Sequence, residues 1–253
     1  MTSQWRDRLG RFGIWRASSQ TTPDLTASLE HLGFGAVWLG GSPDGDLAIV
    51  DQLLSATNSL VVGTSIVNIW KDDAATVANS YARIEAAYPG RFLLGVGAGH
   101  REATAHYASP YRALEGYVDQ LIDHNVPAES IVLAALGPRV QRLAADRTAG
   151  AIPYLVTAEH TRLERAILGP DRLLAPEHKV VLDPDPERGR ALGRKRVQPL
   201  SPPVQLHLEP APSRLHRRGP NRRRQRQPDR RARRARHCRA GRHPARRVPG
   251  CRC

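Results

Sequence analysis

The chain has 253 residues and a formal net charge of +14, enough length for one α/β barrel or two smaller domains. The charge is lopsided: residues 194–253 hold 20 of the 38 Lys and Arg and only two acids, Glu209 and Asp229, a balance of +18, whereas residues 1–193 are at −4. No apolar run approaches the ~18–20 residues of a membrane span, the opening residues MTSQWRDRLGRFGIW, without an apolar stretch, lead us to expect no signal peptide, and residues 1–193 contain no cysteine for a disulfide framework or thiolate metal site.

Strand-like and helix-like segments alternate over residues 1–193. Arg11–Ala17 predicts a strand. Thr22-Pro23 predicts a helix start, an N-cap followed by Pro at the first helical position, and Leu25, Leu29 and Leu32 share one face before Gly33 ends the helix. Gly35–Gly40 predicts a second strand, Asp46–Thr57 a second helix and Leu60–Trp70 a third strand. Val77, Tyr81, Ile84 and Tyr88 then form a helical stripe that Pro89-Gly90 stops, and Arg91–Gly97 predicts a fourth strand. Ser109-Pro110 caps a helix lined by Leu114, Val118, Leu121 and Ile122. Ile131–Leu136 predicts a fifth strand, Pro138 to about Thr148 a helix, Ala151–Thr157 a sixth strand, Thr161–Leu168 a short helix, and Leu173–Leu182 contains a seventh strand.

Units of this kind imply a parallel sheet with right-handed crossovers. Seven units fit an α/β, (β/α)8 TIM-type barrel that stops one unit short. The eighth is expected in 194–253, but that Pro- and Arg-rich segment has no Phe, Trp, Tyr or Ile and reads as a disordered basic tail. The division is therefore 1–193, an incomplete barrel, and 194–253, a tail.

Two readings of the tail compete. Its Arg, Pro, Ala, Gly and His content matches a GC-rich gene read out of frame, beginning where the barrel pattern stops. Alternatively, Arg222–Arg236, RRRQRQPDRRARRAR, binds nucleic acid through its phosphates, although no aromatic is interleaved for base stacking. Cys238, Cys251 and Cys253, with His237 and His243, lack zinc-finger spacing, so no metal is expected.

The most informative segment is Pro89–His100, PGRFLLGVGAGH, a strand running into Gly95, Gly97 and Gly99. Glycines at the carboxyl end of a parallel strand admit a flat ring or a phosphate close to the backbone. The spacing is not the GxGxxG of a dinucleotide fold, and it follows the fourth strand rather than the first. PGRFLLGVGAG resembles the fourth-strand motif of the luciferase-like monooxygenase family, specifically its branch of oxidoreductases that use coenzyme F420. VVGTSIVNIW (Val61–Trp70), VLAALGP (Val132–Pro138) and TAGAIPYLVTAEHT (Thr148–Thr161) are similar to further family segments in the correct order. The resemblance covers residues 10–190.

That resemblance implies hydride transfer between F420 and a small organic substrate at the carboxyl ends of the strands, FMN-dependent monooxygenation being the alternative. It implies a non-proline cis bond at Ser65–Ile66 beneath the cofactor ring. Gly97, Ala98 and Gly99 would lie beside the ring, and Leu136 and Gly137 would offer amides to the cofactor phosphate. Where some F420 enzymes carry an Asp-His pair after the second strand, this chain has Gly40-Gly41-Ser42. His100 occupies the place of an acidic group and is the candidate proton donor or acceptor. Trp15, Trp70, Tyr154 and Thr157 are candidate walls of the substrate pocket. His106, His160, Asp183, Asp185 and Glu187 are expected on solvated loops. Cytoplasmic location, a possible homodimer and no membrane partner complete the expectations. An inactive, aggregation-prone truncated barrel is the remaining reading.

Overall fold

The computed structural model describes residues 3–99 and 109–197. His100, His106 and residues 198–253, with all three cysteines, lie outside the described residues.

Seven parallel strand positions form an incomplete α/β barrel. They are β1 (Gly13–Ala17), β2 (Ala36–Gly40), β3 (Val61–Thr64) continued by β4 (Val67–Asn68), β5 (Phe92–Gly97), β6 (Ile131–Leu133), β7 (Gly150–Ala151) and β8 (Leu173–Leu174). Among the described residues β1 and β8 each have one sheet neighbour. The strands AVWLG and FLLGVG are near-continuous apolar runs because helices cover the outside and side chains fill the inside. The helices are α1 (Ser3–Leu9), α2 (Pro23–His31), α3 (Ala48–Ser55), α4 (Ala74–Ala87), α5 (Pro110–Asp123), α6 (Pro138–Arg147), α7 (Ala158–Leu168) and α8 (Pro186–Val197).

Hydrophobic burial is split between two layers. Between sheet and helices lie Val37, Leu39, Leu53, Leu54, Val77, Ile84, Phe92, Leu94 and Leu121, all buried. Inside the barrel lie Ala36, Val61, Leu93, Val132, Ile152 and Leu173. The amino-terminal end of the barrel is plugged by α1, whose Trp5 and Leu9 join the inner cluster. Trp5 Nε1 donates to Glu129 O at 2.6 Å. The sequence pattern missed α1, because only two of its residues are buried apolar side chains.

The fifth and sixth strands are shorter than their sequence predicts, the fifth, expected over Ile131–Leu136, being Ile131–Leu133. The sixth was expected over Ala151–Thr157 but ends at Ala151, because Pro153 has no N–H to continue the ladder. The seventh, expected within Leu173–Leu182, is Leu173–Leu174, and Pro176 has no N–H to extend it. Ser109 precedes α5 as expected, but its side chain makes no capping bond. Thr22 does cap α2, accepting from Leu25 N at 3.3 Å. At the other end, α8 runs to Val197, past the boundary at 193, its first turn held by Asp185 Oδ1 accepting from Glu187 N at 2.9 Å. No described helix is long and apolar enough to cross a membrane.

Glu30, at the end of α2, ties that helix to the turn before β3. Its Oε1 accepts from Ser59 N at 2.6 Å, Leu60 N at 2.8 Å and Ser59 Oγ at 2.9 Å, and from Asn58 N at 3.0 Å. Desolvation pushes the carboxyl upward, but the amides of Ser59, Asn58 and Leu60 outweigh it and lower its pKa to about 2. A depressed carboxyl stabilises the fold above its unfolded value near 4.5 and loses that contribution as pH falls toward 2. Because the group is only half-buried, screening discounts the effect. Glu30→Gln is expected to cost about 1 kcal/mol at pH 7 and less at pH 3 in thermal melts.

Candidate functional site

The carboxyl ends of the strands carry the irregular backbone. Val62 pairs with Phe92 and Val67 with Val96, so the third strand fits one extra residue against β5. That is a bulge, a device that re-aims side chains near sites. The Ser65–Ile66 peptide within it is cis, at the bond the resemblance singles out. Thr64 bridges the interrupted ladder: Oγ1 donates to Gly95 O and accepts from Gly95 N, both at 2.8 Å. The Ile66 side chain turns into the barrel, against the inner cluster. It lies so close to Gly97 that a Cβ there would be 3.0 Å from Ile66 Cδ1 and 2.8 Å from Ala134 Cβ. Beyond the strand, Gly99 has φ +63° and faces Asn68, whose Nδ2 is 2.9 Å from the position of a Cβ. Asn68 Oδ1 meanwhile accepts from Trp70 N at 3.0 Å. Ser65, Ile66, Gly97, Ala98 and Gly99 are thus brought together. Ser65, Ile66 and Ala98 are half-buried and Gly99 is exposed.

Leu136 and Gly137 follow β6 as a separate, exposed corner. Gly137 is the N-cap of α6 and supplies no side-chain acceptor, with Pro138 at the first helical position. The first-turn amides are therefore uncapped from within, a favourable setting for an anion. Arg139 in that turn lies on the Tyr111 ring, 4.4 Å from its centroid.

Behind this corner is a polar cluster that sequence reasoning missed. Gln141 Nε2 donates to Leu136 O at 3.3 Å and to Glu164 Oε1 at 2.7 Å. His160 Nε2 lies 3.0 Å from the same carboxylate oxygen. Glu164 is fully buried, and its Oε2 has no partner among the described residues. Burial raises the Glu164 pKa, against the pull of His160 and of the hydrogen bonds from Gln141 and His160. The expectation of a loop position for His160 is corrected: it is in α7, with its side chain 21 % exposed. The i, i+4 spacing of His160 and Glu164 was the available signal. A raised carboxyl favours the fold at low pH, and its contribution declines as pH climbs from the unfolded value through the raised one. Glu164→Gln is therefore expected to be nearly neutral at pH 5 and to raise stability by about 1 kcal/mol at pH 8, read from melting temperature.

Of the four predicted pocket walls, Trp15 and Tyr154 come together. Trp15 is half-buried in the middle of β1. One face of its ring lies on Gly40, where a Cβ would be 1.9 Å from Trp15 Cζ2. Lys179 Nζ sits over the ring, 4.1 Å from its centroid, and 5.7 Å from the Tyr154 centroid. Trp15 and Tyr154 are themselves 6.4 Å apart. Lys179 thus covers part of the indole; it was missed because nothing marks it in sequence. Lys179 also pairs with Glu177. Trp70 lies two residues past β4 and is half-buried. Thr157 is exposed, and its Oγ1 accepts from His160 N at 3.2 Å to cap α7. Asp183 and Asp185 are at the turn into α8, where Asp183 pairs with Arg188. Among the described residues no group of three His, Cys, Asp or Glu converges to hold a metal.

A cleft of about 280 Å³ opens at this carboxyl end, lined by Trp15, Arg16, Gln20, Lys179, Val181 and Gly193 among others. A larger cavity of about 580 Å³ lies at the opposite end, beside Trp5, Glu129, Arg147 and Arg172. Its size does not make it the functional site: in barrels of this type the chemistry sits at the carboxyl ends of the strands, where loops vary freely.

A sequence model of the luciferase-like monooxygenase family matches residues 10–121. No curated protein matches in sequence. Several solved structures share the fold. An F420-dependent secondary alcohol dehydrogenase in complex with an F420-acetone adduct is 18 % identical at a TM-score of 0.51, covering 65 % of this chain and 67 % of its own. The coenzyme F420-dependent tetrahydromethanopterin reductase of Methanopyrus kandleri is 15 % identical at 0.51, covering 62 % and 59 %. Apo-MsnO8 is 16 % identical at 0.51, covering 66 % and 62 %. The chain thus spans about three fifths to two thirds of the length of these proteins. At such identities the likeness is one of fold.

Proposed function

We propose that this chain, which over residues 10–121 belongs to the luciferase-like monooxygenase family, binds coenzyme F420 at the carboxyl ends of its strands and passes hydride between it and a small organic substrate. The observation that carries the reading is the bulge at Ser65–Ile66, which sets the half-buried Ile66 against Gly97 and Ala134 at the barrel mouth. A flat tricyclic ring would lie against Ile66, for which Gly97 makes room, while Gly99 adds no side chain of its own. The uncapped first turn of α6 at Gly137 suits the cofactor's phosphate, with Arg139 in the same turn. Two of the three structural relatives named above are F420 enzymes, which favours F420. The family description favours FMN-dependent monooxygenation as the second reading.

The bound cofactor would supply the redox chemistry, accepting or giving a hydride at its ring. The protein's part is orientation and exclusion of water. Ile66 would press on one ring face from below and Ser65 would offer its hydroxyl beside it. The Leu136 carbonyl is already engaged by Gln141, which fixes the loop that presents the Gly137 and Arg139 amides. His100 remains the proposed proton donor or acceptor.

Titration of the full chain with F420 and, separately, with FMN, followed by cofactor fluorescence, tests the reading. Saturable F420 binding at least tenfold tighter than FMN is expected. The reverse order supports the second reading, and failure to bind either overturns both.

A further inference from the structure

We infer that the cleft between β1 and the segment after β8 is a recognition site for a small aliphatic carboxylate. Calling that carboxylate the substrate rests on the proposed redox function; its binding does not. The lining joins Trp15, Arg16 and Ala17 of β1 and Gln20 to Lys179, Val180 and Val181, with Gly193 and Val197 of α8 closing the side. At about 280 Å³ it suits a molecule below drug size.

Charge chooses the ligand class. Lys179 is neutralised by Glu177, whose side chain is only 10 % exposed. The same ammonium is held in place by the Trp15 ring. Arg16 has no acidic partner among the described residues and is exposed. The cleft therefore presents one uncompensated positive charge, which matches a monoanion better than a phosphate near −2. A guanidinium fork binds a carboxylate with two parallel hydrogen bonds, and Gln20 adds an amide donor. The remaining surface is apolar: Ala17, Val180 and Val181, of which Val180 is 76 % and Val181 41 % exposed. Exposed valines beside an unpaired arginine describe a ligand with a charged head and a short hydrocarbon body.

Trp15 is the reporter, because its indole lines the same cleft as Arg16 and a bound anion changes its surroundings. The chain has four tryptophans, so protein labelled at the indole nitrogens gives four resonances, and Trp15→Phe identifies the relevant one. Full-length, cofactor-free protein is titrated with hexanoate, hexan-1-ol and inorganic phosphate. The expected result is a saturable shift of the Trp15 resonance with hexanoate. Its apparent Kd should rise at least tenfold in Arg16→Gln and stay unchanged in Arg162→Gln, which removes the same charge from α7 outside the lining. No saturable shift, an equal shift with hexan-1-ol, equal or tighter binding of phosphate, or indifference to Arg16→Gln each overturns the inference. Since no cofactor is present, failure here leaves the F420 titration intact, and the converse holds.

Discussion

Gly95→Ala is expected to abolish cooperative folding, although it adds a single methyl group. A Cβ at Gly95 would stand 1.9 Å from Thr64 O, 3.0 Å from Thr64 C and 2.8 Å from Ile152 Cδ1. The first two contacts are backbone atoms of the neighbouring strand, so no side-chain rotation relieves them. Thr64 is pinned by its own hydroxyl, which holds both the N–H and the C=O of Gly95. Moving the strands apart breaks those two bonds inside a buried layer, and each buried group left unpaired costs ~1–3 kcal/mol. Overpacking alone typically costs ~1–3 kcal/mol. The two together, about 4 kcal/mol, approach the whole stability of a typical domain. Gly116→Ala is the contrast: nothing lies within 4 Å of its Cβ position, it is interior to α5, and alanine there should add roughly 0.5–1 kcal/mol. Circular dichroism melts of both variants check the pair. A Gly95→Ala protein melting within a few degrees of the parent would refute the role given to this contact.

The same residues show what was legible in the sequence. Alternating units, parallel strands and the helix caps at Thr22 follow from hydrophobic period and local chemistry, and the structure has them. The glycines of the fourth strand stand toward its carboxyl end, where the sequence placed them. Their spacing did not reveal that Gly95 makes room for Thr64 and Gly97 for Ile66, because those partners are about thirty residues away. The bulge is invisible to periodicity, since one inserted residue in a continuous apolar run changes no pattern; only the family resemblance located it at Ser65–Ile66. Lys179 and Glu164 were missed for a similar reason. A lysine after a short strand and a glutamate in a charged helix look solvated until tertiary packing places one on an indole and buries the other. The length of β7 was overestimated because the apolar pattern continues past Pro153, which has no N–H to extend the ladder.

Gly137→Asp should move stability and cofactor binding in opposite directions, which makes it the sharpest test of the α6 corner. Nothing lies within 4 Å of a Cβ at Gly137, and its backbone, at φ −100° and ψ 152°, is the extended conformation an N-cap requires. Aspartate there can accept a first-turn amide and interact favourably with the helix dipole. The variant is therefore expected to be more stable than the parent by a few tenths of a kcal/mol. For a phosphate-bearing cofactor the change is adverse twice: the carboxylate occupies the amides the phosphate needs, and it places a negative charge against another. A loss of about 1.4–2.8 kcal/mol corresponds to a ten- to hundredfold rise in the Kd for F420. Gly137→Ala separates charge from bulk, and binding should change less than threefold. A hydrophobic or misfolding effect would lower stability and affinity together. If Gly137→Asp stabilises the chain and F420 binds as before, the phosphate lies elsewhere and Leu136–Gly137 is only the start of a helix.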